Sequence, residues 1–262
     1  TFENKTNMKK PLILIVNDDG INAPGIRKLI SIMNYFGEVV VVAPDGPQSG
    51  KGHAITIEST IRCDKVIIDD GPQTEYSCSG TPVDCVKLAV NKLITRKPDL
   101  CVSGINHGSN SSINVIYSGT MSAAVEGALE GIPSIGFSLL DYSHEADFSE
   151  GERYIREITQ SVLNNSLPDG VCLNVNIPKS VDDKKIKGVK ICRQAKANWV
   201  EEFDEREDPK GRKYYWLTGK FVNYDKGDDT DERALENHYI SVVPVQFDVT
   251  AYHAISKLNT IL

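Results

Sequence analysis

Apolar residues fall along this chain in two rhythms. LILIV at residues 12–16 is an unbroken apolar run that ends abruptly in NDDG, the mark of a strand buried on both faces whose carboxyl end opens onto a polar loop. APGIRKLISIMNYFG then repeats its apolar positions at helical spacing and stops at Gly37, and EVVVVAP follows as a second buried run, so residues 11–44 predict a βαβ unit with a right-handed crossover. Residues 45–79 are less regular. Their short alternating pieces AITIESTIRC, KVIID and TEYSCS predict a small antiparallel excursion. TPVDCVKLAVNKLI is an amphipathic helix with Pro82 in its first turn, DLCVSGIN a third buried strand, GTMSAAVEGALEG a helix of small residues, and IPSIGFSL a fourth strand. SEGERYIREITQSVLNN and VCLNVNIP continue the alternation as helix and strand.

This order predicts an α/β fold, doubly wound around a mostly parallel sheet, with a core at about residues 9–178. After Pro178 the texture changes to Lys- and Asp-rich stretches, the aromatic KYYWLTGKF, the acidic DKGDDTDERALEN and then HYISVVPVQFDVTAY. Residues 179–262 read as a C-terminal β-hairpin and helix extension of a single domain spanning 1–262, suited to contacts between subunits.

Composition narrows the function. The 262 residues carry 29 Lys plus Arg against 36 Asp plus Glu, a formal charge of −7, with no basic block. That excludes an electrostatic grip on a nucleic-acid polymer or an anionic membrane. It leaves room for a small phosphorylated molecule met through a divalent cation on clustered carboxylates. The first apolar run is too short for a signal or membrane segment, and no CxxC pair occurs among the six cysteines, which read as buried reduced thiols; both point to the cytoplasm.

In a doubly wound sheet, ligands bind beyond the carboxyl ends of the strands, so the polar residues there hold the candidate chemistry. Asp18 and Asp19 follow the first strand, and Gly20 permits a turn that brings both carboxylates to one side. Without that turn they would cap the next helix and close a loop. Ser49 lies after the second strand, Ser103, Gly104, Asn106 and His107 at the end of the third, and Ser118, Gly119 and Thr120 open a helix whose N–H groups suit phosphate; an ordinary N-cap is the plainer use of Ser118. Oxygen donors of this kind favour magnesium or manganese over zinc. GPQSGKG is one residue short of a P-loop, no G-x-G-x-x-G follows the first strand, and Asn17 stands where haloacid-dehalogenase phosphatases keep their nucleophilic Asp.

Taken together, ILIVNDDGINAPGI, VVVVAPDGPQSGKGHAIT, SGTPVDCVKLAV, PDLCVSGINHGSN and VIYSGTMSAAVEGALEGIPSIGFS resemble the SurE family of metal-dependent nucleotidases. The resemblance implies a Rossmann-like three-layer core with C-terminal segments exchanged in a homodimer or homotetramer. It also implies one divalent cation held by Asp18, Asp19, Ser49 and Asn106, phosphate contacts at Ser118, Gly119 and Thr120, and Ser103 and Gly104 near the site. The expected reaction is hydrolysis of nucleoside 5′-monophosphates, and of 3′-monophosphates, with Asp18 or Asp19 as base toward water and Asp18 favoured. GKGHAIT and His107 depart from the family's usual small residues, leaving the roles of Lys51, His53 and His107 open. The alternatives are a non-catalytic nucleotide or phosphate sensor using the same loops, and a Rossmann-like transferase, for which no acceptor motif is visible.

Overall fold

The computed structural model describes residues 9–143, 145–149, 151–179 and 185–262. The polar N-terminal segment, His144 and the start of the extension at 180–184 lie outside them.

Strand β1 (Leu12–Val16) is buried at every position, and its alternate side chains feed two different cores. Ile13 and Ile15 join helices α1 (Pro24–Met33) and α4 (Glu152–Asn165) on one face, while Leu12, Leu14 and Val16 join α2 (Pro82–Leu88) and α3 (Gly119–Leu129) on the other. Each such side chain contributes about 1.5–3 kcal/mol of burial, which is why a continuous apolar run is stable only in the middle of three layers. β1 pairs in parallel with β2 (Glu38–Pro44) on one side and β5 (Leu100–His107) on the other. β6 (Ser134–Leu139) and β7 (Val171–Ile177) extend the parallel sheet beyond β5. The chain moves outward from β1 through β2 and later returns to lay β5 along the opposite edge of β1, so the direction of winding reverses between β1 and β5. Their carboxyl ends diverge there and leave a crevice.

Several expectations change. Residues 54–62 form no strand, and the antiparallel pair is β3 (Cys63–Val66) with β4 (Thr74–Cys78). β4 in turn pairs in parallel with β2, so the stretch widens the main sheet instead of leaving it. Cys63 and Cys78 face each other across β3 and β4, with Cα atoms 4.2 Å apart, and form a disulfide. The expectation of six free thiols therefore holds only for Cys85, Cys101, Cys172 and Cys192.

In the extension, β9 (Ala197–Glu207) and β10 (Lys213–Asn223) form a long antiparallel hairpin apart from the sheet. β11 (Ile240–Gln246) enters the sheet, antiparallel to β7, and carries β8 (Val189–Ile191) at the edge. α5 (Asp231–Glu236) precedes β11, and α6 (Tyr252–Ile261) closes the chain with no buried residue. Among the described residues no helix is long and apolar enough to cross a membrane.

Candidate functional site at the β1/β5 crevice

The turn after β1 is shaped from within. The Asn17 amide donates to the Gly20 carbonyl at 2.8 Å, and Gly20 takes φ +98°, a region that costs an L-residue but not glycine. Asp18 and Asp19 are thereby turned out of the strand. Asp18 does not cap the following helix: the residue preceding α1 is Ala23, which makes no side-chain cap. It points instead to the amino-terminal end of α3, where the Thr120 hydroxyl donates to Asp18 Oδ1 at 2.5 Å. The two residues are 102 positions apart in sequence. Gly119 makes the approach possible, since a Cβ there would lie 2.6 Å from Asp18 Cβ.

Asp19 reaches the other wall. Its Oδ2 accepts the backbone N–H of His107 at the end of β5, at 3.3 Å, next to Asn106. Asn106 donates its side-chain amide to the Gly108 carbonyl at 3.0 Å, which leaves its side-chain oxygen as the group available to a ligand. The third wall is the loop after β2. The Gln48 N–H donates to the Asp18 carbonyl at 2.7 Å, placing exposed Ser49 beside the pair, and the Gly52 N–H donates to the Tyr117 carbonyl at 3.2 Å. The loop thus lies across the amino-terminal end of α3.

Ser118 is the N-cap of α3, and its hydroxyl is spent on the Met121 N–H at 3.0 Å, so the N-cap use applies to its side chain. The unpaired N–H groups of the first helical turn remain for an anion. Ser103 and Gly104 lie a layer deeper. Ser103 is wholly buried in β5 beside Val16, and its hydroxyl has no partner.

Electrostatically the pair is incomplete. Burial pushes the Asp18 carboxyl up to about 6; the Thr120 hydroxyl opposes this, and the Asp19 charge reinforces it. Burial also raises Asp19, with the His107 N–H and ring acting against it. No cationic Lys or Arg figures among the groups acting on either carboxylate. Buried carboxylates are ordinarily paired or bound to a metal, and two adjacent ones without a counter-charge suit a hard divalent cation. Among the described residues no three His, Cys, Asp or Glu side chains cluster as a metal site, so hydroxyl and amide oxygens would have to complete the set, as Ser49 and Asn106 can.

The histidines are placed by the structure. His53 turns away from the pair, its Nε2 lying 2.8 Å from Glu126 Oε2 on α3, and His107 contributes its main chain while its ring packs edge-on against Phe148. Two supports had no linear signal. Asn110 is buried, receiving Asn174 on its carbonyl and donating to Ser138, which fixes the chain after β5. Asp231, inside the acidic stretch read as solvated, is buried and accepts the Ser112 N–H at 2.8 Å from 119 residues away. It thereby holds the short turn of Ser112–Ile116 that leads into Tyr117 and Ser118.

A family model described as Survival protein SurE matches residues 13–201. A 5′-nucleotidase SurE from Flavobacterium psychrophilum is 67% identical over 252 residues, 96% of this chain and 98% of its own length. One of the same name from Chlorobium chlorochromatii is 44% identical, covering 98% of this chain and 93% of its own. The crystal structure of the SurE protein from Aquifex aeolicus superposes with a TM-score of 0.82 at 38% identity, over 96% of this chain and 99% of that one. The match runs through every strand end that meets in the crevice and, in these relatives, through nearly the whole chain, and on that ground the chain belongs to the SurE family.

Proposed function

We propose that this protein is a phosphomonoesterase, a 5′-nucleotidase that releases phosphate from nucleoside 5′-monophosphates and also accepts 3′-monophosphates. The observation that carries the reading is the Asp18–Asp19 pair, held without a compensating side-chain cation where β1, β5 and the start of α3 meet. Relatives that match nearly end to end bear the name 5′-nucleotidase SurE. Asp18, Asp19, Ser49 and Asn106 would hold one divalent cation, magnesium or manganese. When bound, that ion supplies Lewis-acid neutralisation of the phosphoryl charge.

The protein's own groups do the rest. The Gly119 and Thr120 N–H groups at the α3 terminus bind and orient the equatorial phosphoryl oxygens, with Ser118 fixing that terminus by its cap. Ser103 and Gly104 support the crevice floor from below. Asp18 takes the proton of the attacking water, its carboxylate held in one orientation by Thr120; Asp19 is the alternative base. The exposed apolar positions Tyr252, Ile255, Leu258 and Ile261 on α6, together with the protruding hairpin, support assembly as a homodimer or homotetramer through the extension.

The test is phosphate release from a panel of nucleoside monophosphates with Mg²⁺, Mn²⁺ or Co²⁺, with and without EDTA, on the wild type and Asp18→Asn. Release that is abolished by EDTA and by the substitution is expected. Absence of release with every metal would leave a phosphate-binding sensor as the better reading.

A further inference from the structure

A cavity of about 570 Å³ opens beside the crevice, between the loop after β2 and the base of the β9–β10 hairpin. Gly50, Tyr117, Trp199, Leu217 and Thr218 line it, with Glu201 among them. Tyr117 immediately precedes Ser118, so the cavity begins one residue from the helix terminus that faces Asp18. Its aromatic rings are not spent on the core: Tyr117 is 48% and Trp199 40% exposed. Yet Trp199 is fixed. Its indole N–H donates to Asn114 Oδ1 at 2.8 Å, and its ring meets Phe221 edge-on at 5.6 Å. The polar edge of the indole is therefore satisfied, and what it offers a ligand is apolar ring surface. Glu201 disfavours a phosphate here, so the cavity suits the uncharged half of a phosphorylated molecule whose phosphate lies at α3.

We infer that this cavity is the nucleobase subsite, in which Trp199 and Tyr117 stack the base while Thr218 is placed to meet its polar edge. The inference rests on the nucleotidase reading and names what selects a nucleotide over other phosphate esters. Its volume falls in the range of small-molecule sites, and stacking tolerates any base because every base has a π face. It also gives the hairpin a part in substrate choice, since Trp199, Leu217 and Thr218 all come from it.

The test compares kcat/KM for AMP with that for ribose 5-phosphate, which lacks the base, in the wild type, Trp199→Ala and Trp199→Phe. In Trp199→Ala the ratio is expected to fall about tenfold through KM for AMP, and Trp199→Phe to restore most of it. An unchanged ratio, or a parallel fall for both substrates, would overturn the inference. A second measurement does not depend on turnover or on the alanine variant folding. The chain has two tryptophans, so Trp216→Phe leaves Trp199 as its only indole, and adenosine should quench its fluorescence saturably. No quenching at millimolar adenosine overturns the subsite. If the wild type releases no phosphate from either ester, the catalytic reading fails while the titration still decides the cavity.

Discussion

Asp18 and Asp84 are equally buried, each 4% exposed, and their carboxyl groups are driven in opposite directions. Burial raises both. At Asp84 the Thr56 hydroxyl at 2.6 Å, the Thr81 N–H at 2.9 Å and the Thr56 N–H at 3.1 Å more than offset it, and the group ends below the ordinary aspartate value. At Asp18 the Thr120 hydroxyl and nearby N–H groups do not offset it, Asp19 adds repulsion, and the group ends near 6. Asp84 is half of a capping box that starts α2 and ties residue 56 to it: every partner it needs is part of the chain. Asp18 is held by similar means, at a helix start, yet lacks a counter-charge. A buried carboxylate furnished with donors is architecture, whereas a buried pair short of one positive charge is a place for a cation.

The sharpest way to break this comparison is Asp18→Asn. Phosphate release is expected to fall by at least about 100-fold, as when a group that stabilises transition-state charge is lost. Far-UV circular dichroism should be unchanged. Metal binding supplies the second readout. A cation present at about 100 times its Kd stabilises the protein that binds it by about 2.7 kcal/mol, so Mn²⁺ should raise the Tm of the EDTA-stripped wild type. Asp18→Asn should lose that rise. If the variant keeps both the Mn²⁺ shift and most of its turnover, the pair does not hold the ion.

Asp84→Asn should do the reverse, leaving turnover per folded molecule near wild type and lowering stability by about 1–3 kcal/mol, because an amide cannot accept from all three donors. The pH dependence fixes the sign. A carboxylate whose folded pKa lies below its unfolded one contributes stability above the unfolded value, about 3.9, and loses it as pH falls through the folded value. The Tm gap between wild type and Asp84→Asn should therefore be widest near neutrality and close below about pH 4. A gap that stays constant down to pH 3 would show that the carboxylate charge is not what Asp84 contributes.

The core strands were legible because a doubly buried strand has no polar position to confuse the pattern, as in LILIV and EVVVVAP. Strand ends were legible for the same reason, since polarity returns only where the sheet stops, and Asp18, Asp19 and Asn106 stand there. Alternation in AITIESTIRC misled because it marks a possible face without naming a neighbour, and residues 54–62 find no strand to pair with. ISVVPVQ gave the opposite error. It was assigned to the extension by its place after the acidic stretch, but it pairs with β7 within the main sheet. The crevice walls were not readable at all. Thr120 on Asp18, His107 on Asp19 and Asp231 on Ser112 join positions dozens to over a hundred residues apart, and no local spacing encodes them.

The smallest expected effect concerns Glu126, a third buried acid that separates structural pairing from site chemistry. It lies on α3 and is charge-compensated: Lys87 Nζ from α2 is 2.5 Å from one oxygen, and His53 Nε2 is 2.8 Å from the other. Burial raises its carboxyl, but the two partners outweigh it and hold the group below its ordinary value. Glu126→Gln preserves the shape and removes the charge, so no uncompensated buried ion is left, and the stability loss should be about 1 kcal/mol. The local consequence is more informative. His53 anchors the loop that also carries Ser49, and the Gly52 N–H is the loop's backbone bond to Tyr117. Hydrogen exchange at Gly52 should accelerate in Glu126→Gln while the amides of β1 stay protected. Unaltered protection at Gly52 would mean that the backbone bonds of Gln48 and Gly52 hold the loop unaided, leaving Glu126 only the task of joining α2 to α3.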